Sequence, residues 1–203
     1  MAYHSLKKGD GMKKILSLFV GVMLVVVGTA GASNFKPYIG VDAGLNIADF
    51  TTRLDFDDRF YSATINAGAR IGRGFGVEFF FTHSSSNELD YIIVAEALNH
   101  EIYYMGYGFD VFGYYNMSQD FDFFTSFGVA NYRMYNKFEY VSPYQDLSST
   151  QSDNNIATRF GIGVMYSFPG DSASGLIQYQ YVPVNSEIIN VISEFSIGFR
   201  YYF

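Results

Sequence analysis

The stretch "SIGFRYYF", residues 196–203, carries four aromatic side chains in its last five positions. Successive side chains of a strand point to opposite faces. Ile197, Phe199, Tyr201 and Phe203 therefore share one face, and Ser196, Gly198, Arg200 and Tyr202 share the other. One face is oily; the other is small, polar or charged. A chain end is normally polar and loose, so this one is read as part of a sheet that buries or coats its oily side.

The same alternation runs back through the sequence. It is clear in "PYIGVDAGLNI" (37–47), "YSATINAGARI" (61–71), "GFGVEFFFTH" (74–83) and "IYYMGYGFDVFG" (102–113). It returns in "FFTSFGVANY" (123–132), "TRFGIGVMYSF" (158–168), "LIQYQYV" (176–182) and a final run from about Ile188 to Phe203. These are eight segments, each near the 9–11 residues with which a tilted strand crosses a membrane. Their connections alternate too. "GRG" (72–74), "NMSQD" (116–120) and "PGDSASG" (169–175) are short and turn-like, whereas 48–59, 84–100 and 135–154 read as long polar loops, with a tighter one near 183–187. Short turns on the periplasmic side and long loops outside are the outer-membrane arrangement.

Volume decides which face is inside. The interior of an eight-stranded barrel is just wide enough for side chains to fill, and the oily face holds more than twenty large residues, drawn mostly from the 21 Phe and 18 Tyr. The oily face therefore meets lipid. The expected fold is all-β: an eight-stranded antiparallel up-and-down transmembrane β-barrel with a lumen lined by Gly, Ser, Thr, Asn, Gln and a few charges. In a closed barrel the last strand pairs with the first, because an open edge in hydrocarbon would leave backbone groups unsatisfied. The greasy terminus is read as that seam.

The beginning has a different character. Lys7, Lys8, Lys13 and Lys14 precede the apolar run 15–28, and Ala30 and Ala32 form an A-x-A site, the anatomy of a secretory signal peptide. The run falls short of the ~20 residues of a spanning helix. Residues 1–32 are expected to be a signal peptide cleaved after Ala32, leaving 33–203 as the barrel domain; the first eleven residues are either an extended n-region or lie before a start at Met12. Cleavage removes four of 13 basic and one of 20 acidic residues, so nine face nineteen and the charge is −10. Such a balance excludes nucleic acid as a partner.

Charges at membrane depth in a narrow lumen must pair. By parity the lumen holds the acids Asp42, Glu78, Asp110 and Glu194 and the bases Arg70, Arg159 and Arg200. Counted from the short turns, Arg70, Glu78 and Arg200 form a lower cluster and Arg159 with Glu194 an upper pair. A plug is expected from them; the alternative is a charged path for small solutes.

Together, the signal peptide, the hairpins "GVDAGLN", "FGIGVMYSF" and "SIGFRYYF", and the terminal Phe with aromatics at every second position resemble the small outer-membrane barrels related to the OmpA transmembrane domain and to OmpX. The resemblance implies residence in the bacterial outer membrane among lipid and lipopolysaccharide. It also implies insertion by the barrel-assembly machinery, which in that family reads a C-terminal signal like Ile197, Phe199, Tyr201 and Phe203. The soluble cell-wall-binding domain of OmpA is not carried over, since the chain ends at Phe203.

Catalytic and metal signals are weak. "FTHSSSNE" (81–88) faintly resembles a segment of PagL, a lipid A deacylase using Ser, His and Glu, but Asn87 follows His83 by four residues and the segment lies early in the chain. Strand-end loop composition accounts for it, so no catalytic residue, cofactor or metal is assigned. His83 and His100 are too few for an imidazole metal site. Arg53 and Arg59 bracket Asp55, Asp57 and Asp58, which lack calcium-ligand spacing. The expected role is structural or recognitional: envelope integrity, or adhesion to host or other surface ligands through the outer loops, the segment 140–155 foremost.

Overall fold

The computed structural model describes residues 35–51, 57–93, 96–142, 145–170 and 172–203, with backbone alone at 89–93, 96–98, 140–142 and 145–147. The expected signal peptide and Asp55 lie outside the described residues. Nine strands follow one another: β1 (Phe35–Phe50), β2 (Arg59–Ile71), β3 (Phe75–Ser84), β4 (Asn87–Ile93), β5 (Glu96–Asn116), β6 (Phe121–Ser142), β7 (Gln145–Ser167), β8 (Ala173–Pro183) and β9 (Ile189–Tyr202). Among the described residues there is no helix.

Eight of these strands form the wall. Neighbours in sequence pair antiparallel, β3 pairs with β5, and β9 returns to β1, so the sheet closes on itself. The seam runs from Tyr38 opposite Tyr202 to Phe50 opposite Ile189. Phe203 extends it, its N–H donating to the carbonyl of Pro37 at 3.0 Å. The terminal aromatics are thus one edge of the closure, which pairs two margins that an open sheet would leave facing hydrocarbon.

The wall is inside out relative to a water-soluble domain. Ile197 is 67% exposed and Phe203 71%, alongside Phe199, Tyr201, Phe75, Phe127 and Ile162, while Arg200 between them is 1% exposed. The lumen is less uniformly polar than its sequence face suggested. Phe60, Phe80, Tyr104, Tyr132, Ile102 and Met134 pack together toward the outer rim, and Phe112, Tyr114, Phe124, Met165 and Leu176 do so toward the short-turn rim. Asp42, Glu78, Asp110, Arg159 and Arg200 are buried between these two apolar clusters. Glycines make these rings fit: a side chain at Gly163 would strike Phe124, and one at Gly106 would crowd Tyr132 at 2.7 Å. At the short turns, Gly72 and Gly170 take positive φ of 64° and 98°, which a residue with Cβ adopts only at a cost.

The segments 84–100 and 135–154, expected as loops, are largely strand. β3 and β4 form one strand broken by a bulge: His83 lies opposite Met105, Asn87 opposite Ile102, so three residues (84–86) face two (103–104). Beyond the bulge β2 no longer follows, and β4–β7 continue as a four-stranded sheet up to the pair Ser142–Gln145. Outside the membrane no lipid selects an apolar face, so the period-2 signal that marks the wall is absent there.

Candidate functional site: the lumenal ion network and the outer rim

Arg200 on β9 holds the middle of the lumen. Its Nε and Nη2 donate to the two oxygens of Glu78 on β3 at 2.7 and 3.1 Å, and its Nη1 and Nη2 to those of Asp42 on β1 at 2.5 and 3.1 Å. Two bidentate pairs on one guanidinium use the fork geometry that a lysine lacks. Asn66 on β2 donates to Asp42 at 2.8 Å, so four adjacent strands meet at this point. The opposed residues are glycines. A Cβ at Gly198, across from Asp42, would overlap Asp42 Oδ1, and one at Gly40, across from Arg200, would lie 2.7 Å from Arg200 Nη1.

The upper network differs from the expected Arg159–Glu194 pair. Arg159 Nε stands 3.4 Å from Asp110 Oδ1, Nη1 donates to the Tyr132 hydroxyl at 2.9 Å, and the guanidinium lies 3.7 Å over the Phe80 ring. Its Nη2 donates to Gln180 Oε1. The reason is local. Gly128 lies on β6 between Asp110 and Arg159 and has no side chain to separate them, whereas Gln180 on β8 stands between β7 and β9 and takes the Arg159 donor before it reaches Glu194. Glu194 is 4% exposed and has no ion pair among the described residues; its Oε1 rests against Gly44. Arg70 also departs from its expected cluster. It pairs with Asp122 at 2.7 Å near the short-turn rim and covers the Tyr114 ring at 4.4 Å. Asp122 was legible, since it alternates with outward Phe121 and Phe123, but it sits at a strand start where parity is weakest.

At the outer rim the serines of "THSSSNE" serve the bulge. Ser84 Oγ accepts the backbone N–H of Tyr104 at 2.8 Å, and Ser85 Oγ accepts that of Tyr61 at 3.1 Å. These hydroxyls satisfy donors that the broken ladder leaves over. Ser84 faces the lumen and His83 the outside, where His83 stacks on Tyr103 with ring centroids 6.0 Å apart. Ser86 Oγ donates to Glu88 at 3.4 Å. Higher up, His100 Nε2 donates to Asn136 Oδ1 and the ring stacks on Phe138 at 4.0 Å. Burial holds His100 below the ordinary imidazole range, against the opposing pull of Asn136. An open cleft of about 920 Å³ lies on the outward surface at the bulge, with Tyr61, His83, Ser85, Glu101, Tyr103 and Lys137 among its walls.

A closed eight-stranded wall that turns apolar side chains outward and seals paired charges inside is an integral membrane barrel. The chain belongs to the outer membrane protein beta-barrel domain family, whose model matches residues 17–203. Its fold is similar to that of Neisserial surface protein A (TM-score 0.56, 17% identity, covering 82% of this chain and 97% of that one). It is also similar to outer membrane protein OprG from Pseudomonas aeruginosa (0.53, 13%, 84% and 96%). A third likeness is to Ail, the attachment invasion locus protein of Yersinia pestis (0.50, 13%, 84% and 98%). No curated protein sequence matches the chain. Its place is the bacterial outer membrane.

Proposed function

We propose that this barrel is a surface-recognition protein that presents the β4–β7 sheet and neighbouring turns to ligands outside the cell, without a reaction of its own. The observation that carries this reading is strand length. β5, β6 and β7 run 21, 22 and 23 residues, about twice what a tilted strand needs to cross the bilayer. From Arg133 to Ser142 the sheet runs on for about 30 Å along the strand at ~3.3 Å per residue. Such a platform, rooted in a rigid wall, suits contact with large partners. The surface and attachment roles named for two of the similar structures agree with it. Export with cleavage after Ala32 and insertion through the signal Ile197, Phe199, Tyr201 and Phe203 belong to the same reading.

The lumen favours this role over a solute path. Arg200, bound to Asp42 and Glu78, crosses the belt between two apolar plugs. The test replaces residues 88–101 and 137–151 with short turns and compares cell adhesion to a panel of immobilised matrix proteins and glycans at equal surface amount. Adhesion should fall to the level of cells lacking the protein. Equal adhesion, or stable single-channel current in planar bilayers, would overturn the reading.

A further inference from the structure

Glu194 is buried in the lumen, and the groups around it all present oxygen. Its rung places it between Asn46 on β1 and Gln180 on β8. One rung lower, Ser196 stands between Gly44 and Gln178. From β2, Phe60 lies beside Asn46 and Ser62 beside Gly44. The rung above, Ala48–Ile192–Val182, belongs to the outer apolar cluster, and the Arg200 clamp lies below. A Cβ on Gly44 would lie 2.5 Å from Ser62 Oγ and 3.1 Å from Glu194 Oε1, so both oxygens converge on the place where the glycine has no side chain.

Donors are missing here. Asn46 gives its amide to the Phe60 carbonyl at 3.4 Å, which leaves its Oδ1 without a partner; Ser62 Oγ, Ser196 Oγ and Gln178 Oε1 have none either. All four residues are more than nine-tenths buried. Gln180 has nothing left for Glu194, because its amide donates to Asp110 at 3.4 Å and its carbonyl accepts from Arg159. Positive charge is short as well. Among the described residues, Asp42, Glu78, Asp110 and Glu194 share this belt with only Arg159 and Arg200, since Arg70 is taken by Asp122 at the short-turn rim. Two negative charges are left over, and Glu194 is the carboxylate with no ion pair. Water would satisfy the oxygens and leave the charge, which is strongly unfavourable in a low-dielectric interior. The ligand set also limits the valence. No group of three or more His, Cys, Asp or Glu side chains suited to a metal occurs among the described residues. One carboxylate with neutral oxygens matches a hard cation of single charge.

We infer that the lumen binds one alkali-metal cation, sodium or potassium, beside Glu194. The carboxylate balances its charge, and Asn46 Oδ1, the hydroxyls of Ser62 and Ser196 and Gln178 Oε1 supply the neutral oxygens around it. Gly44 provides the room. The ion is a fixed part of the lumenal packing, held between the Arg200 clamp and the outer apolar cluster. This site lies apart from the projecting sheet and stands or falls independently of adhesion.

The test follows unboiled-gel mobility against urea for the full barrel in phosphatidylcholine vesicles, in sodium, potassium or tetramethylammonium chloride at equal ionic strength. Sodium or potassium should raise the urea midpoint above that in tetramethylammonium, an ion too large for the gap. The folded-to-unfolded ratio should grow about tenfold once the cation reaches ten times its dissociation constant. Glu194→Gln, whose amide can donate to the free oxygens, should be the more stable barrel in tetramethylammonium and indifferent to the choice of salt. Ser62→Ala keeps the carboxylate and should move the cation response to higher concentration. Equal midpoints of the unsubstituted barrel in all three salts, the result expected if water alone fills the gap, would overturn the inference. An undiminished salt response in Glu194→Gln would do the same. The salt comparison on the unsubstituted protein decides the matter even if a variant fails to fold.

Discussion

The strands β5–β7 pass through two solvents, and their two halves obey different rules. Inside the membrane, Asp110 and Arg159 are almost wholly buried and their environment is shared with Gln180, Tyr132 and Phe80. Above it, Lys137 is 42% exposed in its side chain and its contacts with Glu101 and Glu139 are 3.5 and 3.9 Å. The same secondary structure therefore carries interactions of very different weight. A buried charge that loses its partner costs several kcal/mol, while an exposed pair contributes about 0–1 kcal/mol.

This contrast can be broken by substitution, with unboiled-gel mobility against urea as the measure of folded barrel. Arg200→Met leaves Asp42 and Glu78 as uncompensated buried carboxylates and should destabilise by about 3–5 kcal/mol. If its midpoint stays near that of the parent barrel, the clamp is not the centre of the lumen. Gly128→Val drives a side chain into Asp110 and the carbonyl of Phe109, with a loss of about 1–3 kcal/mol. Ser84→Ala strands the buried N–H of Tyr104, again at about 1–3 kcal/mol; an unchanged urea midpoint would show that the bulge satisfies itself. Glu194→Gln should move the other way, a gain of about 1 kcal/mol, since it removes a buried charge that has no ion pair among the described residues. Smallest is the pH response of the projecting sheet. His100 is less basic folded than unfolded, so its contribution is present above about pH 6.5 and declines as the pH falls below that. Hydrogen-exchange protection at the β5–β6 rungs near Phe138, taken relative to the intrinsic rate at each pH, should fall on acidification, and protection unchanged from pH 7 to 5 would refute the assignment.

What was legible in the sequence follows the same division. The eight-stranded wall could be read because lipid forces each spanning segment to sort its side chains with period 2, and Ile197, Phe199, Tyr201 and Phe203 display that sorting most clearly. The reach of β4–β7 could not, because water accepts polar residues on both faces of residues 84–100 and 135–154. Which charges enter the lumen follows from parity, but which ones touch depends on the stagger between strands and on where a glycine opens a path. Gly128 joins Arg159 to Asp110, and Gln180 intercepts the guanidinium before Glu194. Neither effect is visible in a single strand. In the serine run 84–86, Ser84 and Ser85 accept the backbone donors of Tyr104 and Tyr61 across the bulge, contacts that no single strand displays.

The pairing of β1 with β9 places Asp42 and Arg200, 158 positions apart, in one hydrogen-bonded cluster. A ribosome would release the first half of that seam long before it made the second. Without β9 the sheet would have two unpaired margins, and Asp42 and Glu78 would lack their counter-ion. The wall can therefore close only after its last strand has been made.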